Sequence, residues 1–260
     1  MFKEGWVDTH AHLDCYDSKK RVKEIVDRAD EQGVVGIITA ADSPESAKFA
    51  VDIAENFDGV YAAVGVHPNE ISLFNKKFEK ELYKLAGHEK VVAIGEIGLD
   101  YYRDVYPHSD QQKTFQSQLE IAMELNLPII VHNREADKHV LSILEKVEFP
   151  AEKVVLHCFN AEESIADEVI DRDYYVSLSA IITYGSRNDS IGKVLNKISE
   201  KRILLETDSP FLPPHPHRGK TNEPSYLPLI GNKIAEIRGI EPDKLRAFTR
   251  ENANRLFFNA

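Results

Sequence analysis

Apolar, β-branched runs recur along the chain, each bounded by turn residues: "GWVDTH" (5–10), "VVGIIT" (34–39), "VYAAVG" (60–65), "VVAIGE" (91–96), "PIIVH" (128–132), "VVLH" (154–157), "YYVSL" (174–178) and "ILLETD" (203–208). They are nearly continuous rather than alternating, the pattern of parallel strands buried on both faces. Between them lie segments of helical period. "DSKKRVKEIVDRADEQG" sets Val22, Ile25, Val26 and Ala29 on one stripe and stops at Gly33. "SPESAKFAVDIAENF" opens with Ser43 as N-cap and Pro44 at the first helical position. "DQQKTFQSQLEIAMELN" and "AEESIADEVIDRD" continue the alternation. Strands alternating with helices predict βα units on a parallel sheet. Eight such units in 260 residues predict an α/β fold, a (β/α)₈ TIM barrel forming a single domain over residues 1–260. A doubly wound open sheet is the competing architecture. The proline-rich "SPFLPPHPHRGKTNEP" (209–224) is expected to be a long loop after the eighth strand. "RGIEPDKLRAFTRENANRLF" (238–257) is expected to form two short helices on the outside.

Composition adds bounds rather than detail. The apolar share of 42% and charged share of 29% suit a globular chain with a sizeable core. No run of about 18 apolar residues implies a membrane span, and the start has no apolar run behind a basic segment, so no secretory signal is expected. Two cysteines, Cys15 and Cys158, make no disulfide framework; both are expected to be buried, reduced packing residues in a cytoplasmic protein. The net charge of −11 argues against a broad nucleic-acid-coating face. It also means that phosphate chemistry at a carboxylate-rich centre needs bound cations to reverse the local sign.

The strand ends carry the chemistry. In barrels of this class the working groups sit at the C-terminal ends of the strands. Strand one ends in His10 and His12, within "VDTHAHLD"; strand three leads to His67; strand four ends at Glu96. Strands five, six and eight end at His132, His157 and Asp208. Five of the ten histidines thus fall at predicted strand ends, which scattered surface histidines would not do. Imidazole and carboxylate suit zinc, manganese and similar divalent ions. Four histidines and two carboxylates exceed one catalytic ion with an open position and fit two ions sharing a carboxylate. His67, in "GVHPNE", fits a substrate contact better than a ligand. His215 and His217, a second H-x-H, lie in the proline-rich loop and are set aside. Asp8 and Asp14 are not ligands, although a supporting role for Asp8 stays open. Neither cysteine has zinc-site spacing, and there is no phosphate-cradling glycine loop or serine nucleophile elbow.

Together with "GVHP", "GEIGLDYY" (95–102), "HNREA" (132–136), "LHCF" (156–159), "LLETDSPFL" (204–212) and "RGKTNEP" (218–224), "VDTHAHLD" makes the chain resemble the TatD-type metal-dependent hydrolases, within the amidohydrolase-like barrels. The blocks run in family order from residue 7 to 224. The resemblance implies His10, His12 and Asp208 on one ion, His132 and His157 on a second, and Glu96 bridging the two. It also implies Asp208 and Glu96 as the catalytic carboxylates, with Mg²⁺, Mn²⁺ or Zn²⁺ as the pair of ions. One departure is "HCFNAEES", where the family more often has Ser-Gly after the phenylalanine; Asn160 and Ala161 are expected to change loop shape and not metal binding.

TatD-like enzymes are associated with deoxyribonuclease activity, chiefly 3′ to 5′ on single strands. The leading expectation is therefore phosphodiester hydrolysis by metal-activated water on single-stranded DNA, in a monomer without membrane contacts. Asp208 orients the water and accepts its proton, and His67, Arg134, Arg218 and Lys220 contact substrate. Alternatives are an amidohydrolase-type hydrolase of a small cyclic amide, lactone or ester, and a D-aminoacyl-tRNA deacylase. A non-catalytic scaffold would be marked by lost ligands, and all six are present.

Overall fold

The computed structural model describes residues 1–16, 18–184 and 188–259. Eight strands, β1 (Trp6–Ala11), β2 (Val34–Ala40), β3 (Val60–Val64), β4 (Val91–Asp100), β5 (Ile129–Arg134), β6 (Val154–Leu156), β7 (Tyr175–Leu178) and β8 (Ile203–Leu205), form one sheet in sequence order. Helices α1 (Lys19–Glu31), α2 (Pro44–Asn56), α3 (Lys76–Ala86), α4 (His108–Glu124), α5 (Asp137–Lys146), α6 (Glu163–Asp171) and α7 (Asn188–Lys197) each join one strand to the next. The chain closes with α8 (Leu227–Arg238) and α9 (Pro242–Phe258). Strand, helix, strand in unbroken order with parallel pairing is the (β/α)₈ fold. None of the described helices is long and apolar enough to cross a membrane.

The local signals act as their chemistry dictates. Ser43 accepts a hydrogen bond from the Ser46 N–H, and Ser46 reciprocates to the Ser43 backbone, closing a capping box ahead of Pro44. Ser18 caps α1, whose Val22, Ile25 and Ala29 are buried; Asp17, at the head of the predicted segment, lies outside the described residues. Three expectations needed correction. Strand four runs past Glu96 to Asp100, because the residues after a register shift between Ile94 and Ile97 pair with Val131–Arg134. Strand eight is shorter than predicted, ending at Leu205, and Glu206–Asp208 follow it outside the regular ladder. The closing segment forms one helix, α9, with Pro242 in its first turn and no breaker before Phe258.

The chain divides into two compact units, one made of Met1–Ile38 with Cys158–Ala260, the other of Thr39–His157. In the first, β7 pairs with β8 in parallel, and Asn252 of α9 donates to the Glu200 and Ile203 carbonyls at the start of β8. In the second, β3, β4, β5 and β6 pair in parallel succession. Buried Gln111 and Gln118 of α4 reach inward there to backbone that the ladder leaves unpaired. Gln118 bonds both the N–H and C=O of Val66, and Gln111 does the same for Asp100.

Candidate metal centres

The first unit brings together His10, His12 and Asp208. Alternate residues of a strand share a face, and the two imidazole Nε2 atoms stand 3.1 Å apart. The Asp208 Oδ1 atom is 3.5 Å from the His12 Nε2 and 3.8 Å from that of His10. Backbone builds this cluster. The Asp208 N–H donates to the His10 carbonyl at 2.9 Å, the His12 N–H donates to that of Ser209 at 2.7 Å, and Ala11 and Ser209 form a parallel bridge. Asp208 holds a left-handed backbone (φ 55°), which aspartate tolerates better than most residues.

Asp8 supports this cluster from beneath. Fully buried, its carboxylate accepts from the Thr207 N–H (2.9 Å), the Thr207 hydroxyl (2.6 Å) and the His10 N–H (3.3 Å). Burial pushes its pKa up to about 8, against the lowering effect of those hydrogen bonds. Asp8 thus clamps the segment carrying His10 to the segment carrying Asp208. Sequence alone left the direction of this side chain open. Glu206, also fully buried, accepts from the Cys158 N–H at 2.7 Å.

The second unit gathers Glu96, His132 and His157. Glu96 Oε1 lies 2.6 Å from His132 Nδ1 and 2.9 Å from His157 Nε2. One donor atom from each of the three falls within 4.8 Å of the others. Asp100, which sequence reasoning missed, stands with Oδ2 3.4 Å from His132 Nε2. Its signal was an even spacing of four from Glu96, visible only once β4 is known to continue. Burial acts to raise the Asp100 pKa, but hydrogen bonds from His132, the Arg103 N–H and Asn69 hold it well below the usual carboxylate range. Burial likewise acts to lower the His132 pKa, yet Asp100 and Glu96 bring a net rise. This pocket stabilises positive charge on or beside the imidazole. Gly98 makes the approach possible: its φ is 145°, and a Cβ there would overlap the His132 carbonyl.

His67 belongs to the same unit. Its Nδ1 accepts from the Asn69 N–H at 3.0 Å, so the neutral ring carries its proton on Nε2, 3.6 Å from Glu96. Burial pushes its pKa down to about 3. Arg134 lays its guanidinium 3.9 Å over the Tyr102 ring, and Arg218 lies 3.9 Å over Tyr184. Lys220 is exposed in the same loop as Arg218. Among the described residues, His215 and His217 join no group of converging donors; His217 stacks on Tyr226. The cysteines depart from expectation. Cys15 is exposed, because Leu13 takes the inward position of its short turn, and Cys158 is half-buried against the Ser179 hydroxyl at 3.2 Å.

Imidazole and carboxylate donor atoms that stand 2.6–3.8 Å apart are the donor set of divalent transition ions, and both clusters fit them. A (β/α)₈ chain with such donors on and just beyond its strands is a metal-dependent hydrolase by class. The model of the family described as "TatD related DNase" matches residues 7–258, and the chain belongs to that family. It is 37% identical over 250 residues to the "uncharacterized metal-dependent hydrolase YabD" of Bacillus subtilis, covering 96% of this chain and 98% of the relative. The "3'-5' ssDNA/RNA exonuclease TatD" of Cronobacter sakazakii is 35% identical over 238 residues, 90% of each chain. Among solved structures, the TatD homologue YjjV from Escherichia coli superposes with a TM-score of 0.91 at 29% identity, covering 98% of both chains.

Proposed function

We propose that the chain is a divalent-metal-dependent phosphodiesterase that removes nucleotides from single-stranded nucleic acid, in the 3′ to 5′ direction carried by the name of its Cronobacter relative. The observation that carries this reading is the pair of donor clusters, His10/His12/Asp208 and Glu96/His132/His157. In it, His10, His12 and Asp208 would hold one ion, and Glu96, His132 and His157 would hold a second. Bound Mg²⁺, Mn²⁺ or Zn²⁺ would supply a lowered water pKa and offset the charge of the scissile phosphate.

The remaining work falls to side chains. Asp208 Oδ1 accepts the proton of the attacking water, which its near-complete burial and fixed backbone make a directional acceptor. Asp8 and Asp100 hold their partners in place, one through backbone and one through the His132 ring. His67 offers its Nε2 proton to a substrate oxygen. Arg134, Arg218 and Lys220 contact phosphates flanking the cleaved bond and so read backbone rather than sequence. With three cationic contacts in this reading and a net charge of −11, affinity for DNA is weak and only modestly salt-dependent.

The test is release of nucleotides from end-labelled single-stranded DNA and RNA with each of the three metals, by wild type, His132→Ala and Asp208→Asn. Metal-dependent release that both substitutions abolish is expected. No release with any metal, alongside turnover of a lactone or cyclic amide, would overturn the nuclease reading in favour of carbonyl hydrolysis.

A further inference from the structure

We propose that Tyr102, braced by Arg134, is a stacking platform for a nucleobase of the substrate strand; this rests on the nuclease reading above. Three observations place it. Tyr102 is 59% exposed, an aromatic ring two residues past the end of β4. Its ring is held rather than loose: the Arg134 guanidinium lies 3.9 Å above it, and the Tyr101 N–H donates to the Arg134 carbonyl at 2.9 Å. Its neighbour Tyr101 is already committed. That ring stacks on His108 at 3.5 Å and 10°, and its hydroxyl accepts from Gln112, leaving Tyr102 as the ring turned to solvent.

The position relative to the second donor cluster follows from the strands. Gly98 pairs with His132 and Asp100 with Arg134, so Tyr102 is two residues beyond a carboxylate that faces His132. Two residues span at most about 7 Å of chain. Arg134 is two residues beyond His132 on β5 and shares its face. A planar guanidinium stacked on a ring keeps its in-plane N–H groups for a phosphate. One pair therefore offers a π-face to a base and donors to the adjoining phosphate. In a chain of net charge −11, a stacked base adds affinity that does not depend on charge and accepts any base.

The experiment compares a short single-stranded oligonucleotide with its abasic counterpart of equal length, using the metal-loaded full chain. The wild-type KM for the abasic strand is expected to exceed that for the base-bearing strand by about tenfold or more. Tyr102→Ala brings this ratio towards one, Tyr102→Leu does the same despite its bulk, and Tyr102→Trp keeps it. Thermal unfolding checks that each variant is folded. A wild-type ratio near one, or an unchanged ratio in Tyr102→Ala and Tyr102→Leu, overturns the platform while leaving the nuclease reading intact. A wild type that releases nothing from either strand overturns both.

Discussion

The two donor clusters use the same residue types and differ in how close their side chains stand and in what their supporting carboxylate grips. His10, His12 and Asp208 are fixed through main chain: hydrogen bonds cross between the His10–His12 segment and Asp208–Ser209, and Asp8 locks Thr207 to them. Glu96, His132 and His157 also rest on main chain, through the Glu96 N–H to the Ala41 carbonyl, the His157 N–H to that of Val131 and the β4–β5 ladder at His132. Their carboxylate–imidazole contacts are tighter, 2.6 and 2.9 Å, and Asp100 braces the His132 ring instead of a backbone segment.

The largest expected effect tests whether the clusters are two sites at all. His10→Ala and His157→Ala each remove a proposed ligand and should cost on the order of a hundredfold or more in turnover. In calorimetric titration of the metal-free chain, each variant should keep one binding event where the wild type shows two. Loss of all binding in either variant would merge the clusters into a single site.

The next pair separates the two means of support. Asp100→Asn should weaken metal affinity by about 10–100-fold, with turnover largely recovered at saturating metal and thermal stability little changed. Asp8→Asn leaves a buried amide facing the Thr207 donors and should appear in urea unfolding as a loss of about 1–3 kcal/mol. If the two variants exchanged phenotypes, the distinction drawn between the clusters would be wrong. Gln118→Ala, which strips both partners from the buried Val66 peptide groups, should cost about 1–3 kcal/mol in the same assay.

The smallest effect lies in the long loop of the first unit. Glu223 takes a bidentate pair from Arg28 and a hydrogen bond from Ser225. Burial acts to raise its pKa, but these partners hold it below its ordinary 4.5. A carboxylate with a depressed folded pKa stabilises fully above the unfolded value and loses that stabilisation as pH falls through the folded one. Arg28→Ala should therefore lower the urea midpoint slightly at pH 7, by less than about 1 kcal/mol in free energy. The gap to wild type should close in acid.

Much of the fold was legible. The eight apolar runs and the capping signals at Ser43 and Pro44 are local features, written in consecutive residues, and they placed every strand within a few positions. The six candidate donors could be singled out because each lies on or just beyond an apolar run, and the structure gathers them into two groups of three. Asp100 and Asp8 were not, since each acts on a partner far along the chain, at His132 and Thr207. Cys15 was misplaced because a short turn, and not its own apolar character, decided which residue faces inward.

Sequence by itself determined the alternation of strands and helices, the residue types at the strand ends and the charge balance that calls for bound cations. Hydrophobic period and side-chain chemistry are properties of a few neighbouring residues. Tertiary structure decided which donors converge, which tautomer His67 holds, that Asp208 sits in the left-handed region, and that Gly98 must lack a Cβ for β4 to approach His132. These depend on distances between segments that only the folded backbone sets.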